Sequence, residues 1–97
     1  MKNDIEDFIK RRFPNEDNWL TGNCFYFASI LQIRFPHLKI VYLPIEGHFM
    51  AWDATQHLLY DVRGKHTEQE CENFELLNTI AQEDDLWYKR ILRDCIL

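Results

Sequence analysis

Length, composition and charge narrow the functions that this chain can have. Its 97 residues suit a single domain, and 46% hydrophobic with 28% charged residues are typical of a globular protein. The formal net charge of -5 argues against a nucleic acid or an anionic membrane as the main partner. No apolar run has membrane-spanning length, and three cysteines without a CxxC pair or a signal peptide favour a cytoplasmic protein with reduced thiols. We therefore expect one globular domain over residues 1–97.

Two helices are predicted in the first third of the chain. Asn3 or Asp4 is expected to cap the first helix, and Pro14 to end it. The second helix is predicted from about Cys24 to residue 34 and ends before Pro36. It is apolar on almost every side, which indicates a buried central helix.

Three short strands and two further helices complete the predicted fold. Residues 38–43, 48–52 and 57–62 are rich in β-branched and aromatic residues and are separated by turn residues. Thr67 and Glu70 fit a capping box at the start of a third helix, and Asp84 or Asp85 caps a fourth. The third helix is expected to carry Phe74 on its apolar stripe. The pattern predicts an α+β domain, in which a small three-stranded antiparallel sheet packs on the central helix.

Cys24 is the first candidate for chemistry. With Asn23 or Thr21 as the cap, its thiol lies in the first turn of a helix, where backbone amides and the helix dipole favour an anion. Such a position lowers the pKa of a thiol and makes it more reactive. The alternative is a buried, inert thiol, since cysteine is among the most buried residue types.

His48 and Asp61 lie on neighbouring predicted strands. If residues 53–56 form a four-residue hairpin loop, His48 lies directly opposite Asp61, close enough for a contact between imidazole and carboxylate. A five-residue loop would instead place Phe49 opposite Asp61. His48 has a structural alternative as an ordinary strand residue, and Asp61 has one as a partner of the turn at residues 63–64.

The order Cys24, His48, Asp61 resembles that of the active-site residues in a known superfamily. Residues 21–28 (TGNCFYFA), 47–49 (GHF) and 59–64 (LYDVRG) resemble the papain-like cysteine hydrolases, whose compact bacterial and phage forms include transglutaminase-like domains. The resemblance covers about half of the chain. It implies a papain-like core with Cys24 as nucleophile, His48 as general base and acid, and Asp61 as the residue that orients His48. Asn18 stands where these enzymes usually carry an oxyanion-stabilising glutamine, and the Cys24 amide is a second candidate donor.

Several other residues are candidates for a binding pocket or a metal site. A substrate pocket beside the three residues would be lined by Trp19, Gly47, Trp52 and Tyr60, although core packing is the alternative role for the aromatic residues. A metal site from Cys24, His48, Asp61 and His66 is conceivable, but it lacks the close ligand spacing of a zinc motif. We expect neither a metal nor another cofactor.

Two functions from different classes follow from these patterns. The first is a cysteine hydrolase or acyl transferase acting on a protein, a peptide or a small amide or thioester substrate. The second is a catalytically inactive papain-like fold that serves as a binding module or inhibitor. In that case the acidic segment of residues 67–85 would bind a basic partner protein.

Overall fold

The computed structural model of this chain describes residues 3–13, 24–44, 47–71 and 73–96, with side chains as far as residue 93. Within these ranges the chain forms four helices and five strands. The helices are α1 (Asp4–Arg12), α2 (Cys24–Arg34), α3 (Leu77–Glu83) and α4 (Asp85–Ile96). The strands are β1 (Lys39–Leu43), β2 (His48–Asp53), β3 (Leu58–Asp61), β4 (Gly64–Thr67) and β5 (Glu75–Leu76). The α+β class is confirmed. No helix in the described part of the chain combines the length and apolar composition needed to cross a membrane.

Helix α1 begins at the predicted asparagine cap. Asn3 Oδ1 accepts hydrogen bonds at 3.0 Å from the backbone amides of Ile5 and Glu6, two of the amides that the start of a helix leaves without an intrahelical acceptor. Asn3 Nδ2 also donates to the Tyr60 hydroxyl at 3.1 Å. The first turn of α1 is therefore bound to β3 as well as capped.

Helix α2 is the buried central helix that its composition predicts. Phe27 and Leu31 lie in one core cluster with Ala51 of β2, and Ala28 lies in a second cluster with Phe49. Because successive side chains of a strand point to opposite faces, α2 covers the face of β2 that carries Phe49 and Ala51. The start of α2 thereby comes to lie near the start of β2.

The sheet has five antiparallel strands in the order β4-β3-β2-β1-β5, where the sequence predicts three. The three predicted strands form its centre. The two that the prediction missed are the first and last strands in this order, at the edges of the sheet that the described residues form. Strand β4 (GKHT) is polar and lacks an alternating apolar pattern, and β5 has only two residues, so neither carries a recognisable strand signal.

The hairpin between β2 and β3 differs from the predicted register by two residues. Asp53 pairs with Leu58, and the four-residue loop is 54–57 instead of 53–56. Asp53 Oδ1 accepts from the backbone amides of Thr55 and Gln56 at 3.1 and 3.2 Å, and His57 has a φ of 60°. These turn contacts move His57 out of the strand and into the loop. Since the shift is two residues, every side chain keeps its predicted face.

The helix predicted to begin at Thr67 begins ten residues later. The capping-box bonds do form: the Glu70 amide donates to Thr67 Oγ1 at 3.3 Å, and the Thr67 amide donates to Glu70 Oε1 at 3.2 Å. They close a single turn, after which Asn73 adopts a left-handed φ of 63° and β5 pairs with β1. Phe74 accordingly packs on Trp52 with ring centroids 5.1 Å apart, and not on a helix stripe.

The fourth helix agrees with its prediction. Asp84 Oδ1 accepts from the Trp87 amide at 3.0 Å and caps α4. Cys71 falls within the helix predicted from Thr67 but lies in the turn before β5, where its buried thiol contacts Met50 Sδ at 3.8 Å. This contact lies on the face of the sheet opposite α2, in a cluster of buried side chains formed by Val41, Leu43, Met50, Leu59 and Cys71.

Candidate active site

Cys24 is the first residue of α2 and is buried, with 4% of its surface exposed. The amides of a first helical turn point out of the helix along its axis and favour negative charge nearby. This position agrees with the predicted one. The predicted caps, Thr21 and Asn23, lie outside the described residues.

His48 is the first residue of β2 and directly follows Gly47. It pairs with Leu43, and the Gly47 amide donates to the Leu43 carbonyl at 2.8 Å. Gly47 has a φ of +62°, a conformation that side chains with a Cβ rarely adopt, so the connection favours glycine at this position. The hairpin places the His48 imidazole at the end of the sheet, nine-tenths buried.

The predicted contact between His48 and Asp61 is present, although the two residues are not directly opposed. Tyr60 pairs with Ala51, which places Asp61 beside Met50 and on the same face as His48. The contact is therefore diagonal across two strands, a distance that long side chains can span. His48 Nε2 lies 3.3 Å from Asp61 Oδ2.

The imidazole of His48 also contacts Cys24. Burial alone would lower the pKa of His48, but hydrogen bonds to Asp61 and Cys24 and the negative charge of both groups outweigh it and raise the pKa to about 9. An ionised carboxylate only accepts hydrogen bonds, so Nε2 of His48 carries the proton that faces Asp61. Nδ1 is then the nitrogen that can exchange a proton with the thiol.

Asp61 is held by more donors than His48 alone. Its Oδ2 accepts from the Arg63 guanidinium, with Nη2 at 2.6 Å and Nε at 3.1 Å. Its Oδ1 accepts from the Arg63 backbone amide at 2.9 Å and from His66 Nε2 at 3.0 Å. Burial would raise the pKa of this carboxyl, but the bonds from His48, Arg63 and His66 hold it well below its usual range. Asp61 is therefore a carboxylate at neutral pH, as an orienting residue requires.

Arg63 and His66 are site residues that the catalytic interpretation of the sequence missed. Arg63 stands within the segment 59–64 that carries the resemblance, but it was given a contact only in the alternative for Asp61, as part of a turn. That contact coexists with the one to His48. Asp61 pairs directly with Gly64, whose φ of +117° is accessible mainly to glycine. Interpreting residues 62–63 as a two-residue hairpin loop would have predicted β4, and with it the position of His66.

In a comparison with protein-family models, residues 3–94 match a model described as Phage YunG-like protein. This chain belongs to the Phage YunG-like family. The matched region contains all five side chains at the site: Cys24, His48, Asp61, Arg63 and His66. No curated protein and no solved structure matches the chain. The description of the Phage YunG-like family names no reaction and no ligand.

Two of the other predicted site residues of this Phage YunG-like chain, Trp52 and Tyr60, lie within the described residues. Asn18 and Trp19 fall outside the described residues. Trp52 is half-buried on the face away from α2, and its Nε1 donates to Glu68 Oε2 at 2.8 Å. Tyr60 is fully buried in the core beneath α1. For Trp52 and Tyr60 the structure thus agrees with core packing, which was the alternative to a pocket lining.

The described ranges contain no group of three or more His, Cys, Asp and Glu side chains arranged to hold a metal ion. Cys24, His48, Asp61 and His66 do come together, but through contacts with one another. Both oxygens of Asp61 are already bound by protein donors. The set is therefore better suited to proton transfer than to metal coordination.

Proposed function

We propose that this chain is a small papain-like cysteine hydrolase or acyl transferase. The observation that carries the proposal is the contact of one buried imidazole, that of His48, with both the Cys24 thiol and the Asp61 carboxylate. The order of elements supports a papain-like core: the cysteine begins the central helix, the histidine begins a strand, and the carboxylate ends the next strand.

The chemistry begins with the transfer of the thiol proton of Cys24 to Nδ1 of His48. With a pKa of about 9, His48 is mainly an imidazolium at neutral pH, and its positive charge favours the thiolate form of Cys24. The Cys24 sulfur then adds to the carbonyl carbon of an amide or thioester. For an amide, the His48 imidazolium returns its proton to the departing nitrogen, which leaves an acyl group on Cys24.

The second half of the reaction releases the acyl group. Neutral His48 removes a proton from water or from an amine, which attacks the thioester carbonyl, and the Cys24 thiolate leaves. Hydrolysis, deamidation and amide transfer share this intermediate and differ only in the leaving group and the acceptor. The Cys24 amide, in the first turn of α2, is a candidate donor to the oxyanion.

Asp61 acts through His48 in this scheme. Its contact with Nε2 selects the tautomer that carries its proton on Nε2 and leaves Nδ1 able to accept the thiol proton, and its charge stabilises the imidazolium. With only 97 residues, the domain offers little surface for a long peptide groove, so we infer a small substrate or a local segment of a protein. A reduced, cytoplasmic setting is part of the proposal because the mechanism needs an unoxidised Cys24.

A second candidate function is an acidic binding module or inhibitor. The acidic residues Glu75, Glu83, Asp84 and Asp85 are exposed and favour a basic protein partner. Several acidic residues of the segment also have partners within the chain: Asp84 accepts from the Trp87 amide, and Asp85 pairs with Lys89 at 3.0 Å. Glu68 binds Trp52 and His57, and Glu70 binds Thr67. This proposal expects charge reversal of the exposed residues to weaken binding, and it requires no reactive thiol.

The experiment that tests the enzyme proposal is the alkylation rate of each cysteine, measured against pH by peptide mass spectrometry. Cys71 is a matched control within the same chain, because it and Cys24 each expose 4% of their surface and the Cys71 thiol contacts Met50 Sδ. We expect Cys24 to react about tenfold faster than Cys71 at pH 7, since the thiolate is the nucleophile. Replacing His48 by Asn should remove the difference.

Equal rates at Cys24 and Cys71 in the wild-type protein would remove the support for catalysis and favour the binding module. A fast Cys24 justifies screening amides and thioesters as substrates. In that screen Cys24→Ala should lose all activity while keeping the wild-type circular dichroism spectrum.

A further inference from the structure

The Asp61 oxygen that faces His48, Oδ2, also binds the Arg63 guanidinium. This oxygen lies 2.6 Å from Arg63 Nη2 and 3.3 Å from His48 Nε2, so the bond to the guanidinium is the shorter of the two. The Arg63 side chain is 50% exposed. The contact with His48 therefore depends on something that holds the carboxylate from its other oxygen.

His66 is the side chain that contacts this other oxygen, together with the Arg63 backbone amide. Its Nε2 lies 3.0 Å from Asp61 Oδ1. The pairing of β3 with β4 sets this position, because Leu59 lies opposite His66 and therefore puts it on the same face as Asp61. Glu70 Oε2 lies 3.6 Å from His66 Nδ1, too long for a hydrogen bond but close enough to favour this ring orientation electrostatically.

We propose that His66 is a positioning residue for the site: by donating from Nε2 to Asp61 Oδ1, it keeps Oδ2 against His48. The inference rests on the proposed function and adds a fourth side chain to it. His66 does not touch the thiol in this scheme. It acts on Cys24 only through the orientation of Asp61 and the protonation of His48.

An alternative role for His66 predicts the opposite shift in the pKa of His48 when His66 is removed. If His66 merely competes with His48 for the charge of Asp61, its removal leaves more charge for His48 and raises the pKa of His48. If His66 positions the carboxylate, its removal lets Asp61 follow Arg63 away from His48. Burial then dominates, and the pKa of His48 falls. The charged groups that face His66 are Asp61 from β3 and Glu70 from the turn after β4, with Arg63 beyond Asp61.

The test is an NMR titration of the His48 imidazole in the full chain. His66→Val removes the donor while suiting a strand, and His66→Gln keeps an N–H group that can reach Asp61 Oδ1. We expect the pKa of His48 to fall by about 1 in His66→Val, a tenfold change in its protonation equilibrium, and to recover in His66→Gln. The alkylation rate of Cys24 at pH 7 should fall and recover with it.

His37→Gln is the matched control, because His37 also contacts a buried carboxylate, Asp53, at 3.4 Å but lies on another part of the fold. It should leave the His48 titration unchanged. If His66→Val does not fold, His66→Thr provides the same test, since its side chain is too short to reach Asp61.

The outcomes separate this inference from the function on which it rests. A raised wild-type pKa of His48 that stays the same or rises in His66→Val would overturn the positioning role alone. An ordinary wild-type pKa of His48, with a Cys24 no faster than Cys71, would overturn the proposed function and this inference together. A fall in His66→Val without recovery in His66→Gln would also count against a role that depends on the donated hydrogen bond.

Discussion

At the scale of single residues, Asp61 concentrates the polar interactions of the site. It is 1% exposed and accepts from His48, from His66 and from both the backbone and the side chain of Arg63. Each of its oxygens has donors on it, so no orientation of an amide in its place satisfies all of them. An uncharged replacement therefore affects folding and chemistry together.

Replacing Asp61 by Asn is expected to lower both stability and the basicity of His48. The Asn amide group would face donors in either orientation, which should cost about 1–3 kcal/mol of unfolding free energy. Without the carboxylate, burial should bring the pKa of His48 down toward or below 6.5. Chemical denaturation and a histidine NMR titration measure the two effects.

Asp53→Asn is the control for this prediction, since Asp53 is 2% exposed and contacts His37 and two turn amides. It should destabilise the protein without moving the titration of His48. An Asp61→Asn protein in which His48 keeps a pKa near 9 would show that the carboxylate has no part in protonating it.

At the scale of secondary-structure elements, α2 connects the core to the site. Ala28 lies one turn after Cys24, is fully buried, and packs in the same cluster as Cys24 and Phe49. The close approach of α2 to β2 at this point requires a small side chain, because protein interiors have few voids that could take a larger one. Packing here and the position of the thiol are therefore linked.

Enlarging Ala28 to Leu should destabilise the protein by about 1–3 kcal/mol through overpacking. It should also slow the alkylation of Cys24 if the start of α2 moves away from His48. Ile33→Ala on the same helix is the control, as Ile33 is 80% exposed and its loss should change stability by less than about 0.5 kcal/mol. Urea unfolding measures both variants, and equal effects would contradict the packing described here.

The elements that could be predicted from the sequence are those with strong apolar patterns. Helix α2 and strands β1 and β2 were predicted to within a residue or so because burial dictates their composition. Strands β4 and β5 were missed because edge pairing depends on tertiary contacts and leaves little pattern. The capping box at Thr67 and Glu70 shows the limit of a local motif: its hydrogen bonds form, but the pairing of β5 with β1 prevents the helix.

The same distinction holds within the site. The alternation of side chains along a strand was enough to predict that His48 and Asp61 lie on one face. The prediction holds despite the register error, because a shift of two residues leaves each side chain on its predicted face. The support of Asp61 by His66 was not predicted because it depends on β4: a turn was predicted at residues 63–64, but no strand after it. The roles predicted for Asn18 and Trp19 stay predictions, because both residues lie outside the described ranges.

At the scale of the whole molecule, the shifted pKa values make stability depend on pH in two directions. The pKa of Asp61 is lower in the folded protein than its ordinary 3.8, so its contribution is present above that pH and is lost as the pH falls through the folded value. The pKa of His48 is raised from 6.5 to about 9, so its contribution is full below pH 6.5 and is lost as the pH rises through 9.

We therefore expect the free energy of unfolding to be greatest between about pH 4 and 6.5 and to fall by roughly 1–3 kcal/mol between pH 6.5 and 9. Urea titrations at a series of pH values measure this profile. In His48→Asn the alkaline decline should become much smaller. A wild-type profile that is flat from pH 6.5 to 9 would contradict the raised pKa of His48.

Asn3 ties the start of α1 to the core, and this affects local unfolding of the domain. Helix ends usually exchange their amide hydrogens early, because the first turn frays independently of the rest. Here one side chain both accepts from the amides of that turn and donates to Tyr60, 57 positions later and fully buried. Fraying at this end must break a bond to the centre of the domain, so α1 and β3 should belong to one cooperative unit in hydrogen exchange.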